Sequence, residues 1–391
     1  MVNFVLFDGA NRENLLPFTF TRPVADIRIG ILTIREKWEH HLKTTSSTIT
    51  EAYLSEKFPY KAAESNLYIN AGILPDNQLV EAISALENGQ ALTFEDKIVA
   101  YKNSSVLESL ESDKALEKVA YANTLLKIEN VWDIFAKNEK AIAADYQLIT
   151  KDRRSRAIPN TVQYTAPENI FIEETAEIEH CIINASAGPV YIGKNAKILD
   201  GSMLRGPLVI GDNAVVKMGA KIYGGTTIGP GCKVGGEIHN SVLFANSNKA
   251  HDGYLGNSVI GEWCNLGADT NTSNLKNNYA QVKLWNYKTG RFRPTGLQFC
   301  GLIMGDHSKC SINTMFNTGT VIGVNVNIFG TGFPRNFVPS FSWGGASGYS
   351  IYKIEKAVEV MKVVMARRNL ELSDTEIEIM KHIFEVTQKW R

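Results

Sequence analysis

The sequence predicts an α/β unit followed by a parallel β-helix and two closing helices, and three observations carry that prediction. The first is a run of eight aliphatic residues standing six apart: Ile192, Ile198, Leu204, Ile210, Val216, Ile222, Ile228 and Val234. A flat strand repeats every second residue, and an α-helix does not return a side chain to one face every sixth one. A coil of three six-residue sides does, with one inward aliphatic per side. Gly193, Gly211, Gly229 and Gly235 follow inward residues directly, as tight corners would require. The second observation is the alternation of apolar strand patterns with amphipathic helix patterns before residue 105. The third is a pair of helical repeats after a glycine-rich break at 344–348.

Within the α/β unit (1–105), Val2–Phe7 and Asn66–Asn70 read as strands, and Ile29–Leu42 and Asn77–Leu86 read as helices in a partly parallel sheet. Residues 106–167 are expected to form a helical connector and linker, because 107–147 is rich in Glu, Ala, Leu and Lys without Gly or Pro. The β-helix is placed at 168–343. Echoes at Ile172 and Ile178, at Ile260 and Leu266, and at Met304, Cys310, Phe316, Ile322 and Ile328 extend it past two breaks. In the C-terminal segment (344–391), Ile354, Val358, Met361 and Met365 keep helical spacing, and Ser373-Asp374-Thr375-Glu376 is a capping box opening a second helix. Such helices would cover the last coil or a neighbouring subunit.

Composition narrows the function. Lysine plus arginine and aspartate plus glutamate number 41 each, so no global field draws the chain to nucleic acid or to a membrane surface. No long apolar span or secretory signal is visible, which places the protein in the cytoplasm. Cys181, Cys232, Cys264, Cys300 and Cys310 form no C-x-x-C pair and suit packed, reduced thiols.

Between Val234 and Ile260 the six-residue count is lost, which reads as an insertion containing Asn248-Lys249-Ala250-His251-Asp252-Gly253-Tyr254-Leu255-Gly256. Ile260-Gly261 follows, and then Asn265-Leu266-Gly267-Ala268-Asp269-Thr270-Asn271-Thr272-Ser273-Asn274. This string resembles the acetyltransferase half of the bifunctional family that acetylates glucosamine 1-phosphate and then couples the product to UTP. That family carries K-A-x-H-x-x-Y-L-G-D-x-x-I-G-x-x-x-N-I-G-A-G-T-x-T-x-N, and the chain keeps its spacing from His251 to Asn274. The resemblance implies that His251 is the general base, that Tyr254, Asn274, His239 and Lys249 contact the sugar substrate, and that Asn265 and Ala268 lie by acetyl-coenzyme A. A neutral imidazole suits that task near pH 7. The resemblance also implies a left-handed coil and a homotrimer. The chain departs from the pattern at Asp269, where the family has glycine, and at Lys249-Ala250, one residue nearer the histidine.

The start, Leu6-Phe7-Asp8-Gly9-Ala10-Asn11-Arg12, with Arg22-Pro23 and Glu36-Lys37-Trp38 further on and Val131-Trp132-Asp133-Ile134-Phe135 later, resembles a divergent branch of sugar nucleotidyltransferases that carry a hexapeptide domain. The resemblance implies a Rossmann-like, nucleotidyltransferase-like fold with Gly9, Arg12, Arg22 and Lys37 around nucleotide phosphates. An active unit would need Mg2+, but Asn70-Ala71-Gly72 lacks the family's aspartate, leaving Asp8 or Asp76 as substitutes. The expected function is acyl transfer to an amino-sugar phosphate or nucleotide sugar, coupled to nucleotidyl transfer if the first unit is active. The alternative is a sugar-nucleotide-binding or trimeric scaffold protein that has lost both activities.

Overall fold

A computed structural model describes residues 3–106 and 116–391. The chain divides into two compact units. The first comprises 1–15, 21–27 and 32–130; the second comprises 16–20, 28–31 and 131–391.

The first unit is built on a six-stranded mixed sheet. Its strands are β1 (Asn3–Phe7), β2 (Ser46–Ile49), β3 (Asn66–Asn70), β4 (Gln90–Phe94), β5 (Lys97–Asn103) and β6 (Glu117–Ala120), in the order β2-β1-β3-β5-β4-β6. β1 runs parallel to β2 and β3, β5 is antiparallel to β3 and β4, and β6 is parallel to β4. Val5, Phe7, Tyr68 and Tyr101 bury one face, with the Tyr68 and Tyr101 rings stacked at 4.5 Å. Two helices follow the expected pattern, α1 (Ile34–Leu42) and α2 (Asn77–Ser84).

α1 starts five residues later than its apolar pattern suggested, because Thr33 and Glu36 close a capping box. The preceding Gly30 and Ile31 are taken up elsewhere: their amides donate to Asn138 and Asp145 at 2.7 Å. The helical connector is also corrected. Residues 107–115 lie outside the described residues, Glu117–Ala120 is an edge strand, and among the described residues of the connector the helices are α3 (Asp133–Ala136) and α4 (Asn138–Thr150). Helix-forming composition yields here to a free sheet edge at β4, which supplies backbone partners.

The second unit is a left-handed parallel β-helix with three walls. Equivalent residues stack in register from coil to coil: Ile192 over Ile210 over Ile228 over Leu243 on one wall, and Leu204 over Ile222 over Ile238 over Leu255 on the next. All eight predicted hexad residues are buried. The five cysteines are buried and free, four of them in the coil's core, and burial raises each thiol's pKa, Cys181 to about 11 and Cys300 to about 12.

Of the two apparent breaks, only the second is an insertion. Residues 235–259 continue the coil without a break, paired on all three walls. The aliphatic pattern fails there for two reasons: Lys249 occupies the inward position above Val234, and the chain needs only four residues to pass from Val234 to Ile238. The real excursion is 273–301, which carries an antiparallel hairpin of Lys283–Asn286 with Arg291–Pro294. The closing helices, α5 (Ile354–Ala366) and α6 (Asp374–Val386), pack on the last coils. Met361 and Met380 approach Asn325, and Phe384 meets Phe341 edge-on at 5.1 Å. The Ser373 capping box forms as expected. Among the described residues no helix is long and apolar enough to cross a membrane.

Because Ile210 sits with no exposure in the middle of a nine-strand ladder, truncation leaves a void that coils above and below cannot fill. Ile210→Ala is expected to cost about 2–5 kcal/mol in denaturant unfolding of the full chain.

Candidate functional site

One wall of the coil ends at Asn248–Lys249 and the next resumes at Tyr254–Gly256, so Ala250–Gly253 forms a corner with His251 and Asp252 exposed at its tip. The coil beneath turns the same corner two residues shorter, through Gly235 and Gly236, while the coil beneath that takes the full six from Val216 to Ile222. Parallel coils stack at about 4.8 Å. A corner shortened by two residues therefore leaves a notch in the stack. The notch is a cavity of about 440 Å3, with Lys217 and Met218 below and His251, Asp252, Ala268 and Asp269 above. Glycine is required where the next coil closes on this corner: a Cβ on Gly253, at φ +110°, would lie 2.2 Å from the Thr270 carbonyl oxygen.

The expected site residues divide around this corner. His251 and Ala268 line the notch itself. Tyr254, Asn274 and His239 lie toward the wall that resumes after it. Asn274 Nδ2 donates to the Tyr254 hydroxyl at 3.1 Å and to Asn257 Oδ1 at 2.7 Å. Burial raises the Tyr254 pKa, so its hydroxyl keeps a proton to donate. His239 stands in register with Gly256, its ring 5.9 Å from that of Tyr223. Asn265 lies on the opposite wall and accepts from Asn248 at 3.3 Å.

On that opposite wall Lys233 is in register with Asn248, whose side-chain oxygen accepts from Arg368 at 3.2 Å. Arg368 foremost, then burial, Lys217 and Arg367, hold the Lys233 pKa below its ordinary value. Mutually repelling cations beside a cavity form a field suited to anions. Sequence reasoning missed Lys217 and the Gly235-Gly236 shortening, and read Asp269 only as a departure from the family pattern; the four-residue step from Val234 to Ile238 was the available signal.

Lys249 differs from its expected role. It is 1 % exposed, and its Nζ donates to the carbonyl oxygens of His251 (2.5 Å) and Asp252 (3.0 Å), so it faces the inside of the coil and not a bound sugar. Burial pushes its pKa down to about 8, against the opposing pull of Asp252, Asp269 and Cys310.

In the first unit a cavity of about 280 Å3 opens beside Gly9, walled by Ile73, Phe94, Ile98 and Ile128. Asn11 and Asn70 cross two glycines there. A Cβ on Gly72 would lie 2.6 Å from Asn11 Nδ2, and one on Gly9 would lie 2.9 Å from Asn70 Nδ2. Of the four residues expected at nucleotide phosphates, Gly9 lines this cavity, whereas Arg12, Arg22 and Lys37 are buried away from it. Arg12 donates to Asp8 at 3.0 Å and to the Tyr53 hydroxyl at 3.2 Å.

The carboxylates expected for magnesium do not fit a metal ion. Asp8 accepts from Arg12, Thr50 and the Val24 amide, and burial raises its pKa; Asp76 caps α2 through the Leu79 amide. Among the described residues no group of three or more His, Cys, Asp or Glu is placed to hold a metal.

Residues 4–154 match the family model of sugar nucleotidyl transferases. The chain is 37% identical over 89 residues to the bifunctional protein GlmU of Methanocaldococcus jannaschii, covering 23% of this chain and 21% of that one. It therefore spans about a fifth of that relative's length. It is 31% identical over 182 residues to the uncharacterized acetyltransferase YaiX of Escherichia coli O6:K15:H31, covering 45% of this chain and 78% of that one. Among solved structures, the UDP-N-acetylglucosamine acyltransferase of Francisella novicida aligns at 14% identity and a TM-score of 0.28, over 59% of this chain and 90% of that one.

The depressed pKa of Lys249 sets a sign for stability. Below about pH 8 the lysine is protonated whether folded or unfolded, and the full burial cost is present. Between about 8 and its ordinary 10.5 the unfolded chain holds the extra proton, so stability rises with pH. The difference in urea-unfolding stability between wild type and Lys249→Met is expected to move in favour of wild type across that window, over a common decline in both proteins from the buried thiols whose pKa values are raised.

Proposed function

The chain belongs to the family of the uncharacterized acetyltransferase YaiX, and on that premise we propose that its β-helix transfers an acyl group from acyl-coenzyme A to the amine of an amino-sugar phosphate or nucleotide sugar, with His251 as general base. The observation that supports this reading is the notch, which His251 and Lys217 line at the corner between the wall that carries Tyr254 and His239 and the wall that carries Lys233, with Arg368 near Lys233. The acceptor sugar lies on the polar wall, where Tyr254 donates to a sugar oxygen. The phosphates of coenzyme A lie on the cationic wall, with Asn265 beside them. Such a division brings amine and thioester together at the corner.

The neutral imidazole of His251 takes a proton from the acceptor amine as its nitrogen attacks the thioester carbonyl. The C–N bond forms, the C–S bond breaks, and the thiolate of coenzyme A leaves to be protonated. Donor binding along an outer wall suits a homotrimer, in which a neighbouring coil closes the groove. His251→Ala is expected to lower kcat by roughly 10²–10⁴-fold while acetyl-coenzyme A still binds by titration calorimetry. Undiminished transfer would overturn the base, and failure of the wild type to bind coenzyme A would favour a scaffold.

For the first unit, the family match and the cavity beside Gly9 support binding of a nucleotide sugar. Wild type is expected to bind UDP-N-acetylglucosamine or another common sugar nucleotide in calorimetry, and Gly72→Val to weaken it at least about tenfold by forcing Asn11 across the cavity. Mg2+-dependent release of pyrophosphate from a nucleoside triphosphate and a sugar 1-phosphate would extend binding to nucleotidyl transfer.

A further inference from the structure

Every other residue stacked with Lys249 inside its wall is apolar, from Ile198, Val216 and Val234 on one side to Cys310 and Ile328 on the other. An ammonium in such a row costs free energy unless its donors are used. Here they are used on the corner that carries His251. The coil below turns through Gly235-Gly236, two residues short, so the 250–253 corner has two fewer residues beneath it than a six-residue corner has. The Asp252 carbonyl also receives the Asp269 amide from the coil above, at 3.1 Å. The His251 carbonyl accepts from Lys249 Nζ, at 2.5 Å.

We infer that Lys249 is a positioning residue for acyl transfer: from inside the coil its ammonium holds the two peptide carbonyls of the overhanging corner and so fixes the backbone from which the His251 side chain projects over the notch. The inference rests on the reading of His251 as the base. It goes beyond that reading by assigning the preorganisation of the base to a charge that never meets substrate. The device answers a need created by the notch. A corner supported by a full coil below is held by its neighbours' backbone, whereas one that overhangs a cavity needs a donor from within. Lysine suits the position, with an apolar stem matching the core and a head carrying three donors. Methionine keeps the stem's length and removes the donors.

A double-mutant cycle on the full chain tests this. In the wild-type background Lys249→Met is expected to lower kcat by at least about tenfold, the scale of a base displaced by a fraction of an ångström, with the KM values for acetyl-coenzyme A and acceptor changed less than about threefold. In a His251→Ala background the same change is expected to lower the residual rate no further. Hydrogen exchange read on a peptide spanning 250–256 is expected to quicken in Lys249→Met, while peptides from the neighbouring coils keep their rates. An equal loss of kcat in both backgrounds, or unchanged exchange at the corner, would overturn the role of Lys249. Full activity of His251→Ala alone would instead overturn the base, and the exchange measurement would still report whether Lys249 holds the corner.

Discussion

The in-register stacking of parallel coils is the constraint on which the second unit depends. Once Ile192, Ile210, Ile228 and Leu243 lie over one another, the inward or outward fate of each residue is inherited from the coil below. The stack can vary in only two ways: a side can be lengthened into an excursion, or it can be shortened. The hairpin within 273–301 is the first kind and projects chain outward. Gly235-Gly236 is the second and removes chain, which turns a smooth edge into a notch with a cavity of about 440 Å3. An active site on a solenoid needs a concavity, and a shortened corner makes one without disturbing the hydrogen-bonded walls on either side.

The same constraint explains how much was legible in the sequence. The eight aliphatic residues specified the coil because a six-residue return has few other origins, and the Ser373 capping box specified the start of α6 through local backbone bonds alone. The coil between Val234 and Ile260 was hidden because its inward position is filled by Lys249 and its sides run four, five and six residues. A polar residue at a core position removes the very signal that periodicity offers. At the edge of the first unit, Glu117–Ala120 misled for a different reason: its composition favours helix, while its pairing is set by β4, more than twenty residues away. In the site, His251 and Ala268 could be found from one local string, but Lys217 comes from a coil two turns below, which no local motif reports.

The two units use charge in opposite ways. In the first, Arg12 is drawn into a buried cluster with Asp8 and Tyr53, and the cavity beside Gly9 keeps mostly apolar walls and two asparagine side chains. Neutral amides that can both donate and accept suit a sugar or a base better than a triphosphate. In the second, Lys217 and Lys233 on a corner and an outer wall lie near Arg367 and Arg368 at the end of α5, and the cost shows in the lowered pKa of Lys233. A bound anion would relieve that repulsion.

The lysine inside the coil shows why stability and function part company at this corner. Leucine at position 249 would continue the apolar row and remove a desolvation cost, yet it would leave the His251 carbonyl facing the interior of a low-dielectric coil without its recorded donor. A buried acceptor without a donor would relax by turning its peptide plane toward water, and the histidine side chain turns with that plane. The ammonium therefore trades some stability of the coil for the fixed direction of one side chain, a trade that local rules of core composition oppose and a functional corner can require.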